Sequence, residues 1–373
     1  MKRAFFLLIG VIGAAGPLTA QFPGAGGANT TLRSGVVFEG YSFGSGLAFK
    51  SVHELTIPVA VVQRFGDRLT VDVSSAFASA SVKTASGSTL DLSGFTDTDI
   101  RASYGAIPGR LLVTVVGTVP TGRAQVADTL LPLFGVLATD VLDFTTPSFG
   151  GGGGVTGGAS TAFKLGNNWA LGAAGSFHHA GSFVPVVGQG ALTPGNDIRL
   201  RLGVEGPLGG KYLRGALVYM LSGRDTLSGQ SSSFSGDRLL LYGTLSLPVG
   251  RSNLSFFGFN LLRLKARGVP TTATGAVRVP RGDVFTVGAR LDRPLTPLLT
   301  LSPHIELRSE SAGDTTFAQL GVLVRPGADL RWRVGNQTAL VFQGLLAFGS
   351  LHQPGLTIST TGPKLAAYVE WNR

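Results

Sequence analysis

The chain has 373 residues, of which 55 are Gly and none Cys; 43% are hydrophobic and 14% charged, with a formal net charge of +10. That make-up excludes disulfides and thiolate metal sites and fits neither a disordered chain nor an ordinary helical enzyme. The basic balance does not mark a nucleic-acid partner, because Lys and Arg stand singly along alternating segments and do not cluster with aromatic residues.

Residues 1–20 read as a secretory signal. Lys2 and Arg3 form the basic start, Ala4 to Ala15 the apolar core, and Leu18, Thr19 and Ala20 the cleavage site before Gln21. No other uninterrupted run of about 18 apolar residues is present, so no helical anchor is expected. A Gly-rich lead occupies 21–32, and a single barrel domain is expected over 33–373. Within it, apolar and polar residues alternate with the period of a β-strand. Strands are predicted near 33–42, 53–64, 67–79, 95–105, 110–119, 154–165, 168–178, 196–206, 211–221, 237–248, 251–262, 283–293, 298–308, 316–326, 337–348 and 361–371. The expected count is sixteen, with fourteen open; between 316 and 334 one parity carries through Pro326, so a single very long strand also fits there. Most of these runs are about 10 to 12 residues long, the length a tilted strand needs to cross a bilayer.

The connections alternate in kind. Seven are tight: Gly66 with Asp67, Pro108 with Gly109, Gly166 with Asn167, Gly209 with Gly210, Gly250 with Arg251, Pro294 to Pro297, and Gly335 with Asn336. Eight longer polar or Gly-rich loops lie near 43–52, 80–94, 120–153, 179–195, 222–236, 263–282, 309–315 and 349–360. Short periplasmic turns and long outer loops are the asymmetry of a bacterial outer-membrane barrel. The expected fold is therefore all-β: a transmembrane, antiparallel, up-and-down barrel with both termini in the periplasm. Its strands carry two unlike faces. Ile198, Leu200, Leu202 and Val204 are expected to meet lipid, and Arg199, Arg201 and Glu205 the interior. Phe285, Val287, Ala289 and Leu291 likewise oppose Arg290 and Asp292, while Ile305 and Leu307 oppose Glu306 and Arg308.

The stretch GFTDTDIRASYGAIPGRLLVTVVGTVPTG, residues 94–122, reads as a hairpin, with Asp97, Asp99 and Arg101 on its polar side. Gly94, Asp97, Tyr104 and the closing Pro120, Thr121 and Gly122 resemble a pattern of the outer-membrane family of MetA-pathway phenol-degradation proteins. Thr96 stands where that family usually has a second Gly. The run ELTIPVAVVQRFGDRLTVDVSSAF, residues 54–77, is similar to the family's strand–turn–strand unit, so the resemblance covers about residues 50–122. It implies a barrel that passes hydrophobic or aromatic compounds. The last strand, with Lys364, Ala366, Val369 and Trp371, resembles the C-terminal signal read by the barrel-insertion machinery, although Asn372 and Arg373 overhang it.

Within the third long loop, TLLPLFGVLATDVL (129–142) is too apolar to stay in bulk water. Exposing several Leu and Phe side chains costs several kcal/mol at roughly 25 cal/mol per Å², so the loop is expected to fold into the mouth or lumen. Leu130, Leu133, Phe134, Leu137 and Val141 then either narrow the pore or simply pack on the wall. The inward charges, Asp97, Asp99, Arg101, Arg199, Arg201, Glu205, Arg214, Arg290, Asp292, Glu306 and Arg308, either set up a transverse field or form a paired, solvated wall. In the sixth loop, Arg263, Lys265, Arg267, Arg278 and Arg281 either touch lipopolysaccharide phosphates or stand solvated.

Three catalytic or metal-binding readings are weak. Ser42 in GYSFG lacks the helix that a nucleophile elbow needs, His178 and His179 as strand neighbours point to opposite faces, and Gly150 to Gly154 lacks the Lys of a phosphate loop. Neither enzymatic activity nor a cofactor or metal is expected. The expected role is passive passage of small solutes; a nonselective or structural barrel and, further off, a barrel hydrolase are the alternatives. Membrane lipid and lipopolysaccharide are the surroundings, and the oligomeric state is left open.

Overall fold

The computed structural model describes residues 29–166, 168–232, 236–264, 282–312, 320–353 and 355–373. The expected signal segment, most of the expected lead, Asn167, and Lys265, Arg267, Arg278 and Arg281 of the expected sixth loop lie outside these residues.

The first half of the chain supplies β1 (Thr30–Phe43), β2 (Phe49–Phe65), β3 (Leu69–Thr84), β4 (Thr89–Phe95), β5 (Thr98–Ile107), β6 (Leu111–Val119), β7 (Gly154–Leu165) and β8 (Trp169–Ala180). After the short β9 (Leu192–Thr193) come β10 (Asp197–Leu208), β11 (Lys211–Ser222), β12 (Asp225–Leu227), β13 (Gln230–Ser232), β14 (Arg238–Val249) and β15 (Ser252–Arg263). The chain ends with β16 (Gly282–Pro294), β17 (Leu299–Ala312), β18 (Leu320–Arg333), β19 (Thr338–Gln353) and β20 (Leu356–Asn372). Each long strand pairs antiparallel with the next, and β20 returns to β1, where Leu32 meets Trp371 and Val37 meets Ala366. Since β4 and β5 share one stave, the closed barrel has sixteen.

Closure follows from where the apolar residues lie. Ile198, Leu200, Leu202 and Val204 stand on the outside with exposures from 36% to 56%, and Leu55, Ile57, Val59, Phe285, Val287, Ile305 and Leu307 stand out in the same way. An outward apolar belt of this extent suits hydrocarbon, and in hydrocarbon every backbone N–H and C=O needs a partner, which strands obtain only by closing on themselves. The protein is an outer-membrane β-barrel. The N-terminal end of β1 pairs with the C-terminal end of β20, on the side of the seven tight turns, which is therefore the periplasmic side.

Of the expected long loops, 80–94 and 349–360 are mostly strand and 43–52 is half strand. β1 and β2 are joined by 44–48, β3 and β4 by 85–88, and β19 and β20 by 354–355. Above the bilayer both faces of a ladder meet water, so alternation fades while hydrogen bonding continues: Lys83 still pairs with Thr89, and His352 with Thr357. β18 also runs past its expected end at 326, on to Arg333, while the expected start at 316–319 lies outside the described residues. Pro326 keeps its place opposite Ile305 of β17, whereas the ladder to β19 skips Arg325 and Pro326 and resumes at Gly327. Pro lacks the N–H that the second ladder would use there.

The 94–122 hairpin contains an irregularity that its alternation conceals. Register with β3 passes from Phe77 opposite Phe95 to Ser74 opposite Asp99, so two residues of β3 face three, 96–98. This bulge reverses the inward parity from Leu92 to Asp99. Thr96 bridges the gap, its N–H donating to Ala76 O and its Oγ1 accepting from Ala76 N.

Candidate lumen site

Residues 120–153, between β6 and β7, fold into the outer half of the barrel. Asp97, freed from regular pairing by the bulge, closes the neck: its Oδ1 accepts from Gly122 N at 3.0 Å and its Oδ2 from Gly151 N at 2.7 Å. Arg123 N donates to Phe149 O at 3.1 Å across the same neck. The approach requires glycine, because a Cβ on Gly122 would lie 2.0 Å from Phe149 O and 2.6 Å from Asp97 N. Further in, Val126 bridges to the 181–196 loop, which β9 links to β12 and β13 in a small three-stranded sheet.

A 3₁₀ turn (Asp128–Leu130) leads into the two-turn helix α1 (Leu131–Leu137), started by Pro132 in its first turn. Leu133, Leu137 and Val141 are at most 1% exposed, and together with Leu142, Phe144 and Phe149 they pack on Tyr41, Val52, Ala78, Ala80, Val82, Leu92, Leu323 and Ala347 of the wall. Leu130 and Phe134 are only partly buried. Small wall residues at 78 and 80 leave room for the leucines, while Phe134 meets Phe149 edge to face at 6.1 Å.

The next seven residues, 140–146, have no regular secondary structure of their own, and wall side chains take up their polar groups. Arg263 holds Asp140 Oδ2 at 2.6 Å and Glu310 at 2.8 Å. Arg308 donates twice to Asp140 O, at 2.9 and 2.7 Å, and pairs with Asp143 at 3.1 Å. Glu310 accepts from Val141 N at 3.2 Å. Arg325 donates to Val141 O and Leu142 O at 3.0 and 2.7 Å and pairs with Asp143 at 3.1 Å, while the Tyr41 hydroxyl donates to Leu142 O at 2.6 Å. Glu39 accepts from Thr145 N at 2.6 Å and is itself paired with Lys364, also at 2.6 Å. Glu54 accepts from Thr146 N at 2.8 Å.

Buried charges of this kind are tolerable only when paired and hydrogen-bonded. For Asp143, burial by itself would push the carboxyl up; Arg308 and Arg325 outweigh it and hold the group below the usual aspartate range. The backbone of Asp143 has φ +60°, a left-handed conformation that Asp accepts more readily than most residues and that turns its carboxylate toward both guanidiniums.

The expected lumen charges fall into separate groups. Asp97 serves the neck, Arg308 the 140–146 clamp, and Glu306 backs the clamp through Arg325 at 3.2 Å. Asp99 accepts from Thr118 Oγ1 at 2.6 Å, and Arg101 lies 3.9 Å from Asp72. On the wall away from α1, Glu205 pairs with Arg214 at 2.8 Å, Arg201 lies over the Tyr242 ring and donates to its hydroxyl, and Arg199 Nε has no hydrogen-bond partner. Toward the periplasm, Arg290 joins Asp292 and Asp329. These inward charges are mostly paired.

Arg263 is a correction. Instead of standing on an outer loop it is 6% exposed inside the barrel, because β15 extends to it and inward parity aims it at Asp140. Sequence reasoning also passed over Glu39, Glu54, Asp140, Asp143, Glu310 and Arg325, and assigned Lys364 to an insertion signal alone. The available cue was two aspartates, Asp140 and Asp143, at the end of an apolar run destined for the interior, which need inward-facing cations. Ser42 lies within β1, with no helix following. His178 bonds Thr156 and His179 bonds Asn196, on opposite faces of β8.

No family model matches the chain, and no curated protein does, so the likeness to the phenol-degradation family stays one of motif. Among solved structures, the chain is similar to OpdL of Pseudomonas aeruginosa, at 12% identity over 93% of this chain and 99% of that one, with a TM-score of 0.48. A deltaS2S3 mutant of the monoaromatic hydrocarbon channel TodX gives 11%, 93%, 91% and 0.46. The outer-membrane expressed OmpT of Vibrio cholerae gives 10%, 92%, 98% and 0.42. The fold assignment stands on the strand pairing itself.

Proposed function

We propose that the protein is a passive outer-membrane channel for small molecules in which the 120–153 segment sets the width and character of the passage. The observation that carries this reading is the segment itself: an apolar stretch folded inside a closed barrel and fixed there by wall charges. A barrel of sixteen staves is wide enough to hold water; the segment occupies one side of its outer half and leaves the Arg199, Arg201 and Tyr242 wall facing it. Leu130 and Phe134, less buried than their neighbours, are the apolar side chains offered to a passing solute, which favours hydrophobic or aromatic cargo, as the motif resemblance also implies.

The test is removal of residues 129–142 with a short Gly-Ser bridge. Single-channel conductance is expected to rise, and liposomes that discriminate between aromatic solutes and sugars of similar size are expected to lose that preference. Unchanged conductance together with unchanged discrimination would refute the assignment and leave a structural barrel.

A further inference from the structure

The periplasmic rim is basic. Arg68, Arg110, Lys211, Arg251, Arg293 and Arg333 lie at or beside six of its seven tight turns. Among the described residues the nearby carboxylate of Asp292 is already taken, by Arg290 at 2.7 Å and Ser302 at 2.7 Å. At one place the rim forms a groove of about 430 Å³, between the turn joining β14 to β15 and the turn joining β16 to β17, with Arg251 and Arg293 together in its lining.

The groove opens toward lipid and away from the lumen. Leu291 and Arg293 have the same parity as the outward Phe285 and Val287, and Val249 has that of the outward Leu241. Val249 and Leu295, at 52% and 48% exposure, form its apolar surface. Neither Arg251 nor Arg293 has an ion-pair or side-chain hydrogen-bond partner among the described residues. Two unpaired guanidiniums at the edge of an apolar, outward-facing surface match one chemistry: a phosphate attached to acyl chains. Guanidinium recognises phosphate oxygens in a bidentate manner, and a cation at the headgroup level adds attraction to anionic lipid. Lipopolysaccharide lies in the opposite leaflet, beside the long loops.

We propose that this groove binds an anionic phospholipid of the periplasmic leaflet, its phosphate against Arg251 and Arg293 and an acyl chain along Val249, Leu291 and Leu295. The site is independent of what passes through the lumen. Its occupant would anchor the β14–β17 side of the barrel at a fixed depth.

The experiment is native mass spectrometry of the full barrel released from detergent, with dioleoylphosphatidylglycerol or dioleoylphosphatidylcholine added. Wild type is compared with Arg251→Gln/Arg293→Gln and with Arg68→Gln/Arg110→Gln, which removes the same charge elsewhere on the rim. Heat-shifted mobility on a gel confirms that each is a folded barrel. Wild type is expected to retain phosphatidylglycerol in preference to phosphatidylcholine. The groove variant should bind it about fivefold more weakly per guanidinium removed, roughly 25-fold in all, and the control should bind it like wild type. The proposal fails if wild type shows no preference, if the groove variant matches wild type, or if the control loses as much, which would mean diffuse rim charge. It also fails if excess inorganic phosphate strips the lipid as fully as the double substitution, which would mark a free-anion site.

Discussion

Replacing Arg325 with Gln is the sharpest perturbation of the clamp, because one guanidinium there serves five partners. It touches Asp143 at 3.1 Å, Glu306 at 3.2 Å, Val141 O at 3.0 Å, Leu142 O at 2.7 Å and the Tyr41 hydroxyl at 3.2 Å, all within a wall it shares with the inner segment. Gln retains a single amide NH2 group on a shorter side chain and cannot span that set. Asp143 keeps Arg308, so its charge is not wholly stranded, but breaking a buried pair by removing one partner typically costs about 3–5 kcal/mol. The cost falls on the seating of 139–149 and leaves the barrel intact, since the substitution changes a side chain and keeps the backbone pairing of β18 with β17. At about 1.4 kcal/mol per tenfold, even the lower figure raises the population of unseated segment by roughly two orders of magnitude. Thermolysin, which cuts before Leu, Val and Phe, reads that population directly on the folded barrel in detergent; planar-bilayer recording reads it as larger, flickering conductance. Cleavage within 130–149 as slow as in wild type, with unchanged conductance, would refute the claim that these contacts seat the segment.

Asp97→Ala should open the neck while leaving 140–146 clamped, seen as faster hydrogen exchange at Gly122 and Gly151 without gain of thermolysin cutting near Val141. The folded Asp143 carboxyl lies below its unfolded value, so its stabilising contribution is complete above the ordinary aspartate value of about 3.9 and is lost as pH falls through the depressed folded value. The Asp143 contribution should therefore be constant from pH 7 to pH 5 and fall only in stronger acid, so the conductance difference between wild type and Asp143→Asn should be the same at pH 7 and pH 5; a difference that disappears near pH 6 would contradict the assignment. The chain has no Cys, so single-cysteine variants report facing cleanly. Leu200→Cys should react with a lipid-soluble maleimide, and Arg201→Cys with a charged, water-soluble thiosulfonate; the reverse pattern would overturn the strand parity.

The strand pattern was legible in the sequence because each long strand meets hydrocarbon on one side and an interior on the other, and that asymmetry is written residue by residue, as at Ile198 to Glu205. Tight turns at Gly66, Gly109, Gly209 and Gly250 were legible for a local reason: each of these glycines has positive φ, which glycine adopts without a Cβ clash. The inward fate of 129–142 followed from the cost of wetting its leucines. Above the bilayer the signal faded, and paired strand at 80–94 and 349–360 read as loop.

The amino-acid sequence by itself determined that the chain alternates, closes and needs a membrane, because these consequences depend on near neighbours and on burial of apolar area. Only the tertiary structure decided which polar groups meet: the seven residues Glu39, Glu54, Arg263, Arg308, Glu310, Arg325 and Lys364 come from six strands, β1, β2, β15, β17, β18 and β20, with β17 supplying two, yet all converge on residues 140–146. Along the strands each is just another inward polar position, since a period of two states the face and not the partner across the lumen. The bulge at Thr96 shows the same division, for one extra residue reverses the parity and releases Asp97 to tie the neck, and that reversal becomes visible only once β3 lies alongside.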